Sequence, residues 1–434
     1  MSFSKKFLSS SLLSVIDQAM LSALNFAIGA LLIRMVDKDV YGLYGQLYAG
    51  GLLAGLVVDS WISGPLTTVA SAVHDNTRKI LLRRYWERQI FWTLMSGTLV
   101  LLVVKWVPAA THLQERSWLL AGAFGAYVIG NGLREYGRTV GFIQSDLVSV
   151  LRQDAIYVAT VVAGLVALYL WQQIALEYLF LLLSAASVLC TLAGRARLLA
   201  RTATDTQMEA GDAEVLEAHH ETIRGHGQWA VLGVVVGWLS NYSYVYLSGA
   251  WLGLAAIADL NASRLLLMPI PLAVAAWSRV ARPEASRLMA EHNWSGLRKL
   301  TLASIAGIEL VVLAYVGLLL LTLPWLEARV IGSKYSGLDP LILLWGIYFA
   351  TNAVRIIGTS WLMSGGAFRA MFFLGSVTLV LVIAITYAAI PYWAAAGAIM
   401  ALIAVELFET VVVWRFILPR LQRHHQNAQT DVTQ

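Results

Sequence analysis

Two short polar motifs recur in the sequence with the same spacing, and each places an arginine inside an apolar stretch. They are Tyr127-x3-Asn131-x2-Arg134-x2-Gly137 and Tyr348-x3-Asn352-x2-Arg355-x2-Gly358. A guanidinium stays charged at physiological pH and can bind a phosphate through two parallel hydrogen bonds. The repeated arginines therefore predict an anion site, and the tyrosines and asparagines predict a polar, aromatic lining beside it.

Other charged residues also fall within apolar stretches. Arg264 precedes a proline-rich kink, and Arg34 ends the first apolar stretch. A charge at the centre of a bilayer costs about 2.5–3.5 kcal/mol on insertion scales, so such residues usually face a cavity or a partner. Arg34 and Arg264 join the anion-site candidates, and Asp17 and Asp59 are candidates for binding a coupling proton or sodium ion. The alternative for each is pairing with an opposite charge, or snorkelling to the membrane surface.

The elements that must position these residues are membrane-spanning helices. Of the 434 residues, 58% are hydrophobic and only 13% are charged, whereas soluble domains carry roughly 25% charged residues. The apolar residues form stretches of about 20, the length of a helix that crosses a bilayer. We predict twelve spans, near residues 10–34, 43–72, 89–107, 117–140, 148–171, 176–199, 229–250, 253–280, 300–323, 338–362, 371–391 and 394–417.

The spans form two blocks of six, separated by the only long polar interruption. This predicts an all-α polytopic membrane protein with an N-terminal lobe at 1–200, a cytoplasmic linker at 201–228, a C-terminal lobe at 229–418 and a polar cytoplasmic tail at 419–434. Because six is even, both lobes insert the same way up. The motif repeat therefore predicts two parallel lobes, with a cavity between them.

Lysine and arginine are concentrated in the connections on one side of the predicted membrane. The other side carries only these six: Arg34, Lys38, Lys105, Arg116, Arg329 and Lys334. Cytoplasmic connections are enriched in basic residues, so both termini are expected in the cytoplasm, with the chain in a bacterial inner membrane. The net charge of +5 reflects this topology, and we expect no nucleic-acid partner.

Motifs for catalysis or metal binding are missing from the sequence. It contains no Gly-Lys pair for a P-loop, no His-Glu-x2-His zinc motif, and one cysteine, Cys190, which lies in an apolar stretch. These motifs carry phosphate binding and zinc chemistry in other proteins. We therefore assign no catalytic residue, no metal site and no cofactor, and we interpret the chain as a transporter.

The sequence resembles the multidrug/oligosaccharidyl-lipid/polysaccharide (MOP) exporter superfamily, and within it the Wzx-type polysaccharide flippases. The residues that carry the resemblance are Leu32-Ile33-Arg34 and Tyr41-Gly42-Leu43-Tyr44 after the first span, and Ile331-Gly332-Ser333-Lys334-Tyr335 with Pro340-Leu341 before the tenth. The two-lobed arrangement of twelve spans agrees over essentially the whole chain.

The resemblance implies a MATE-like, V-shaped transporter that works by alternating access. Its expected substrate is a polyprenyl-pyrophosphate-linked oligosaccharide, moved from the cytoplasmic to the periplasmic leaflet for exopolysaccharide, O-antigen or capsule synthesis. Membrane lipid, a polysaccharide polymerase and chain-length machinery are the partners it implies. The pyrophosphate is expected at Arg34, Arg134, Arg264 and Arg355, and Tyr127, Asn131, Tyr348 and Asn352 are expected to line the lumen.

Two alternatives come from other functional classes. A cation or drug exporter of the same superfamily should have an acidic, aromatic lumen, whereas this chain has several intramembrane arginines. A membrane enzyme of polysaccharide assembly, such as a polymerase or ligase, is expected to have a large periplasmic loop with arginine and histidine. Here the predicted outer connections are short and contain His112 as their only histidine.

Overall fold

The computed structural model describes residues 2–106, 117–202, 210–365 and 367–421, and within these ranges the chain is almost entirely helical, with no strand. The first seven helices are α1 (Ser2–Met35), α2 (Lys38–Val58), α3 (Gly64–Ala72), α4 (Asp75–Trp106), α5 (Ser117–Ile143), α6 (Leu147–Leu170) and α7 (Leu176–Thr202). The other six are α8 (Ala210–Leu252), α9 (Leu254–Leu266), α10 (Pro269–Ala290), α11 (Trp294–Leu326), α12 (Asp339–Ser364) and α13 (Phe368–Val412).

These helices account for the twelve predicted spans and confirm the all-α polytopic fold. In the described part of the chain, 9 helical stretches are long and apolar enough to cross a membrane, or 10 if the bent pair α9 and α10 is one span. Helix α5, with 27 residues, is also long enough to cross a membrane, although its polar and charged residues leave it outside that apolar set. The last span comes from α13, which is broken at Ala394.

Prolines explain where the long helices are interrupted. A π-helical turn at Asp59–Ser63 separates α2 from α3, which carries Pro65 in its first turn. Helices α9 and α10 meet at a 49° bend where Pro269 begins α10. In α13, Ala394 has φ 48° and ψ −133° just after Pro391. A proline has no backbone N–H to donate and crowds the preceding turn, so a helix kinks or stops there.

The helices form two compact units. Unit 1 contains residues 1–28 and 46–235, and unit 2 contains residues 29–45 and 236–434. The predicted lobes divided the chain between 200 and 229, so the structure differs at one point in particular: the end of α1 and the beginning of α2 belong to unit 2. In unit 1, α5 packs against α4 and α7, and in unit 2, α12 packs against α10, α11 and α13.

The connection between α1 and α2 is fixed inside unit 2 by charged contacts. Lys38 Nζ lies 2.7 Å from Asp259 Oδ1. Lys334 Nζ donates to the backbone oxygens of Arg34, at 3.2 Å, and Val36, at 2.8 Å. The two sequence segments that carried the family resemblance therefore meet here, and they form a structural joint.

Tyr335, which lies shortly before α12, completes the contacts of this joint. Its buried ring packs edge-on against Tyr41 at 6.3 Å, and Lys38 Nζ lies 4.9 Å from its centre. Burial raises the pKa of the Tyr335 hydroxyl far above its usual range, and nearby Asp259 raises it further. The ring therefore stays neutral and offers the lysine a π face.

The predicted polar linker is largely helical. Residues 201 and 202 end α7, and α8 begins at Ala210 and continues without a break into the membrane-spanning part. No proline interrupts this segment. Ile223 is buried in a core cluster of unit 1 with Leu81, Leu82 and Tyr85, so this part of α8 is anchored to α4. Residues 203–209 of the predicted linker, Arg116 and residues 422–434 of the predicted tail lie outside the described residues.

A glycine substitution tests the placement of residue 42 in unit 2. A Cβ on Gly42 would lie 1.9 Å from the backbone oxygen of Leu254, whereas a Cβ on Gly237 would meet open space. We expect Gly42→Ala to destabilise the protein by about 1–3 kcal/mol, because backbone must move to admit the methyl group. Thermal unfolding in detergent measures this, with Gly237→Ala as the matched control, expected within about 1 kcal/mol of wild type. Equal stabilities would contradict this close approach.

Candidate functional site

One face of α5 carries three of the polar residues of unit 1. Tyr127, Asn131 and Glu135 are four residues apart, and such positions share one face of a helix. They line a cavity of about 280 Å³ in unit 1. Tyr127 and Asn131 therefore line a cavity within unit 1, and their role in a substrate lumen stays a prediction.

Helices α2 and α4 complete this cavity. Helix α2 contributes a stripe that includes Tyr48, Gly55 and, in the π-helical turn, Asp59. Gln89 from α4 forms part of the wall and is only 2% exposed. The π-helical turn supplies the exposed carboxyl group of Asp59 to the lining, as π-helical turns often do at functional sites.

The two arginines of α5, Arg134 and Arg138, form a network of ion pairs with nearby acids. Arg134 Nη2 lies 2.7 Å from Glu135 Oε1, and its guanidinium lies 4.0 Å from the centre of the Tyr157 ring. Arg138 lies 2.8 Å from Glu135, 2.9 Å from Asp17 and 2.7 Å from Asp154. Because a lone charge in a low-dielectric interior is very costly, each arginine here is held by carboxylates.

This network contains more carboxyl groups than guanidinium groups. Three acids, Asp17, Glu135 and Asp154, share the two arginines Arg134 and Arg138. Asp154 is fully buried, at 0% exposure. Oδ1 of Asp17 has no hydrogen-bond partner. Asp17, a candidate for ion coupling, thus pairs with Arg138, whereas the other candidate, Asp59, lines the cavity.

In unit 2, the equivalent part of α12 also pairs its arginine with acids. Arg355 forms an ion pair through Nε with Glu406, its Nη2 donates to the same carboxylate at 3.2 Å, and Nε lies 3.0 Å from Glu409. Asn352 Nδ2 donates to Glu406 Oε1 at 3.0 Å. Both acids lie on the part of α13 after its break. The motif residues Asn352 and Arg355 are thus brought together around one carboxylate.

Arg264 is held differently. It lies in the last turn of α9, donates from Nη1 to the Tyr244 hydroxyl at 3.0 Å, and lies 5.7 and 5.4 Å from the ring centres of Tyr242 and Trp345. Trp345 in turn packs edge-on against the predicted lining residue Tyr348 at 5.3 Å. Within the described ranges, Arg264 forms no ion pair, and its Nε has no hydrogen-bond partner.

Aromatic faces and a helix end stabilise the charge of Arg264 without neutralising it. A guanidinium over an aromatic ring gains about 0.5–2 kcal/mol. Arg264 lies in the last turn of α9, where the partial negative charge of a helix C-terminus favours a cation by roughly 0.3–1 kcal/mol. The formal positive charge of Arg264 is therefore not neutralised by a carboxylate among the described residues.

Arg34 has a different environment from the other three arginines. It is exposed, and Nη1 donates a hydrogen bond to the backbone oxygen of Arg329 within unit 2. Its own backbone oxygen accepts from Lys334. Arg34 therefore belongs to the joint between the α1–α2 connection and the residues after α11.

Sequence reasoning missed two contributors to these sites. Gln89 precedes an apolar stretch of α4, and its only sequence signal is Thr93 one turn later. Glu135, next to Arg134, was hidden because its role depends on Arg138 and on the cavity. Among the described residues, no group of three or more His, Cys, Asp or Glu side chains is arranged to hold a metal ion.

No protein-family model and no curated protein matches the sequence. Solved structures do match over nearly the whole chain. One is an inward-facing conformation of a multidrug resistance MATE family transporter of the MOP superfamily, with a TM-score of 0.71 and 12% identity, covering 92% of this chain and 94% of that chain. Another is the lipid II flippase MurJ in an inward closed conformation, with a TM-score of 0.70 and 10% identity, covering 94% and 87%.

A third match is a MOP superfamily transporter from Pyrococcus furiosus, described as having a binding pocket of reverse polarity. Its TM-score is 0.65 at 13% identity, and the match covers 96% of this chain and 95% of that chain. At such low identity the matches establish the fold, and substrates do not follow from them. The chain is a multi-pass membrane protein with the fold of the MOP superfamily transporters.

Proposed function

We propose that this chain is a flippase for a polyprenyl-pyrophosphate-linked oligosaccharide. It would move the repeat unit from the cytoplasmic to the periplasmic leaflet of a bacterial inner membrane by alternating access, for exopolysaccharide, O-antigen or capsule synthesis. The observation that supports this most is Arg264, a cation that no carboxylate pairs with in the described part of the chain. The MurJ match, a lipid II flippase, gives a precedent for lipid-linked cargo on this fold.

The contacts favour Arg264 over the other candidate arginines as the pyrophosphate ligand. Arg134 and Arg355 already pair with carboxylates, and a phosphate would have to displace those partners. Arg34 is exposed, so water already solvates its charge. A phosphate at Arg264 would instead supply the missing negative charge and accept a charge-assisted hydrogen bond, which is roughly twice as strong as a neutral one.

The proposal includes a location and partners. Both termini would lie in the cytoplasm, and a polysaccharide polymerase with its chain-length machinery would take the flipped product. We expect no cofactor, because alternating access needs only binding energy and, if transport is coupled, a gradient of protons or sodium ions. The solved structures reported above are transporters and a flippase, with no enzyme among them, which favours transport over the polymerase or ligase alternative.

Depletion of the protein in its native cell tests the function directly. We expect complete pyrophosphate-linked repeat units to accumulate and surface polymer to be lost, because the block is at translocation. Mass spectrometry of extracted polyprenyl-linked sugars measures this and also identifies the sugar. Normal lipid-linked pools with intact polymer would refute the proposal.

Arg264 can be tested by removing only its charge. Arg264→Gln should reduce polymer export at least about tenfold, because a charge-assisted contact to the pyrophosphate is lost. The measurement is surface polymer in depleted cells that express the variant, with protein amount and thermal unfolding checked in parallel. The control is Arg287→Gln, since Arg287 is exposed and pairs with Glu284 and Glu291. Normal export by Arg264→Gln would contradict the assignment.

Arg355 should behave as a residue that stabilises helix packing. Arg355→Gln leaves Glu406 and Glu409 without their cation, which should destabilise the protein by about 3–5 kcal/mol. Glu406→Gln in the same chain should recover most of this loss, in a double-mutant cycle read by thermal unfolding. A stable Arg355→Gln variant that nevertheless cannot export polymer would instead place Arg355 among the substrate ligands.

A second function, export of cations, is favoured by the cavity of unit 1. Asp59 and Glu135 supply carboxylates to its lining, and Tyr48 and Tyr127 supply aromatic rings. Carboxylates and aromatic faces are the groups that hold cationic ligands. Depleted cells would then become more sensitive to lipophilic cations, while their lipid-linked sugars stayed normal.

A further inference from the structure

The cavity of unit 1 contains a buried hydrogen-bond acceptor with no donor. Gln89 Nε2 donates to Thr93 Oγ1 at 3.1 Å and to the backbone oxygen of Gly132 at 3.0 Å. A backbone oxygen only accepts, so it fixes which end of the amide faces Gly132. Oε1 of Gln89 is left buried with no partner in the described structure, although buried polar atoms are nearly always paired. A ligand that donates a hydrogen bond would satisfy it.

The rest of the lining suits a donor and disfavours an anion. The carboxylates of Asp59 and Glu135 accept hydrogen bonds, and the amide of Asn131 accepts through its oxygen and donates through its nitrogen. Both carboxylate oxygens of Glu135 already accept from Arg134 and Arg138, so Asp59 is the less constrained carboxyl group. A phosphate beside these carboxylates would be repelled. The ligand must therefore be a polyhydroxylated neutral group or a cation.

Size and shape favour the polyhydroxylated group. At about 280 Å³, the cavity is slightly smaller than the roughly 300–1,000 Å³ of pockets that hold drug-sized ligands. One pyranose ring fits this scale better than a multi-ring cationic drug does. Tyr48 and Tyr127 contribute aromatic side chains to the same lining as the acceptors, and an aromatic ring is an apolar surface suited to the C–H face of a sugar.

We propose that the cavity of unit 1 is a saccharide subsite that binds one sugar ring of the cargo. Gln89, Asn131 and Asp59 accept hydrogen bonds from its hydroxyl or amide groups, and Tyr48 and Tyr127 contact its apolar face. The biological role of the subsite rests on the proposed flippase function. Its ligand chemistry rests only on the residues of this cavity, which makes it testable by binding alone.

Glycine substitutions can block the cavity. Gly55 lines it, and a Cβ there would meet open space, so Gly55→Leu should fill the cavity without displacing the backbone. Gly122 on α5 also has open space at its Cβ but does not line the cavity, so Gly122→Leu is the matched control. The purified full-length protein in nanodiscs is titrated with free hexoses, N-acetylhexosamines and 6-deoxyhexoses, and binding is followed by saturation-transfer NMR.

We expect at least one of these sugars to bind saturably to the wild type and to Gly122→Leu, and none to bind to Gly55→Leu. No saturable binding to the wild type by any of the sugars would overturn the proposal. Equal loss of binding in both glycine variants would overturn it as well, because the effect would then be independent of the cavity.

Asp59→Asn separates a sugar from a cation. The amide keeps an acceptor oxygen but loses the charge, so sugar affinity should fall by about three- to tenfold, as a charge-assisted hydrogen bond becomes a neutral one. Binding of tetraphenylphosphonium, the cationic probe, should fall more than about tenfold if it uses this carboxylate. The proposal is supported if tetraphenylphosphonium does not displace the sugar and binds to Gly55→Leu as well as it binds to the wild type. Tight tetraphenylphosphonium binding lost in Gly55→Leu, with sugars inactive, would make the cavity a cation site.

The two proposals can fail separately. Arg264→Gln lies in the other unit and should leave monosaccharide affinity unchanged while polymer export falls. Sugar binding with normal lipid-linked pools after depletion would retain the saccharide subsite and refute the flippase. Accumulated repeat units without any sugar binding in the cavity would retain the flippase and refute the subsite.

Discussion

The cost of placing a charge in a low-dielectric interior governs how each unit is built. Desolvating an ionised group costs several kcal/mol even after the protein relaxes, so a buried guanidinium needs a carboxylate or an equivalent. Arg134 and Arg138 connect α5 to α1 and α6 through Asp17 and Asp154. Arg355 connects α12 to the end of α13. In a membrane, where apolar side chains do not drive helices together, these pairs determine which helix faces meet.

The arginines of the two motif copies are paired with acids from different parts of the fold. In unit 1 the acids come from α5 itself and from α6, whereas in unit 2 both come from the end of α13. The arginine is retained in both copies while its partners differ. This pattern fits a cation whose first task is helix packing, whereas Arg264 pairs with no acid among the described residues.

Much of the fold could be predicted from local sequence. The twelve spans followed from hydropathy, including the division between 391 and 394 where α13 is broken, and the kink at Pro269 followed from the missing N–H of proline. The path of residues 29–45 into unit 2 could not be predicted, because it depends on Lys38 meeting Asp259, far away in the sequence. The sequence analysis did not predict the helix that covers most of the linker, because this segment is mostly polar. The contact that anchors it comes from a single apolar side chain, Ile223.

The candidate sites likewise depend on contacts between residues that are far apart in the sequence. Residue types and spacing placed Tyr127 and Asn131 on one face of α5, since residues four apart share a face. They could not show that Arg134 is paired and Arg264 is not, because pairing depends on acids from other helices. The two sites that remain have opposite chemistry: an isolated cation in unit 2 and an acceptor-rich, aromatic cavity in unit 1. Each site depends on which side chains meet across the helices of its own unit, and residue type and spacing alone do not carry that information.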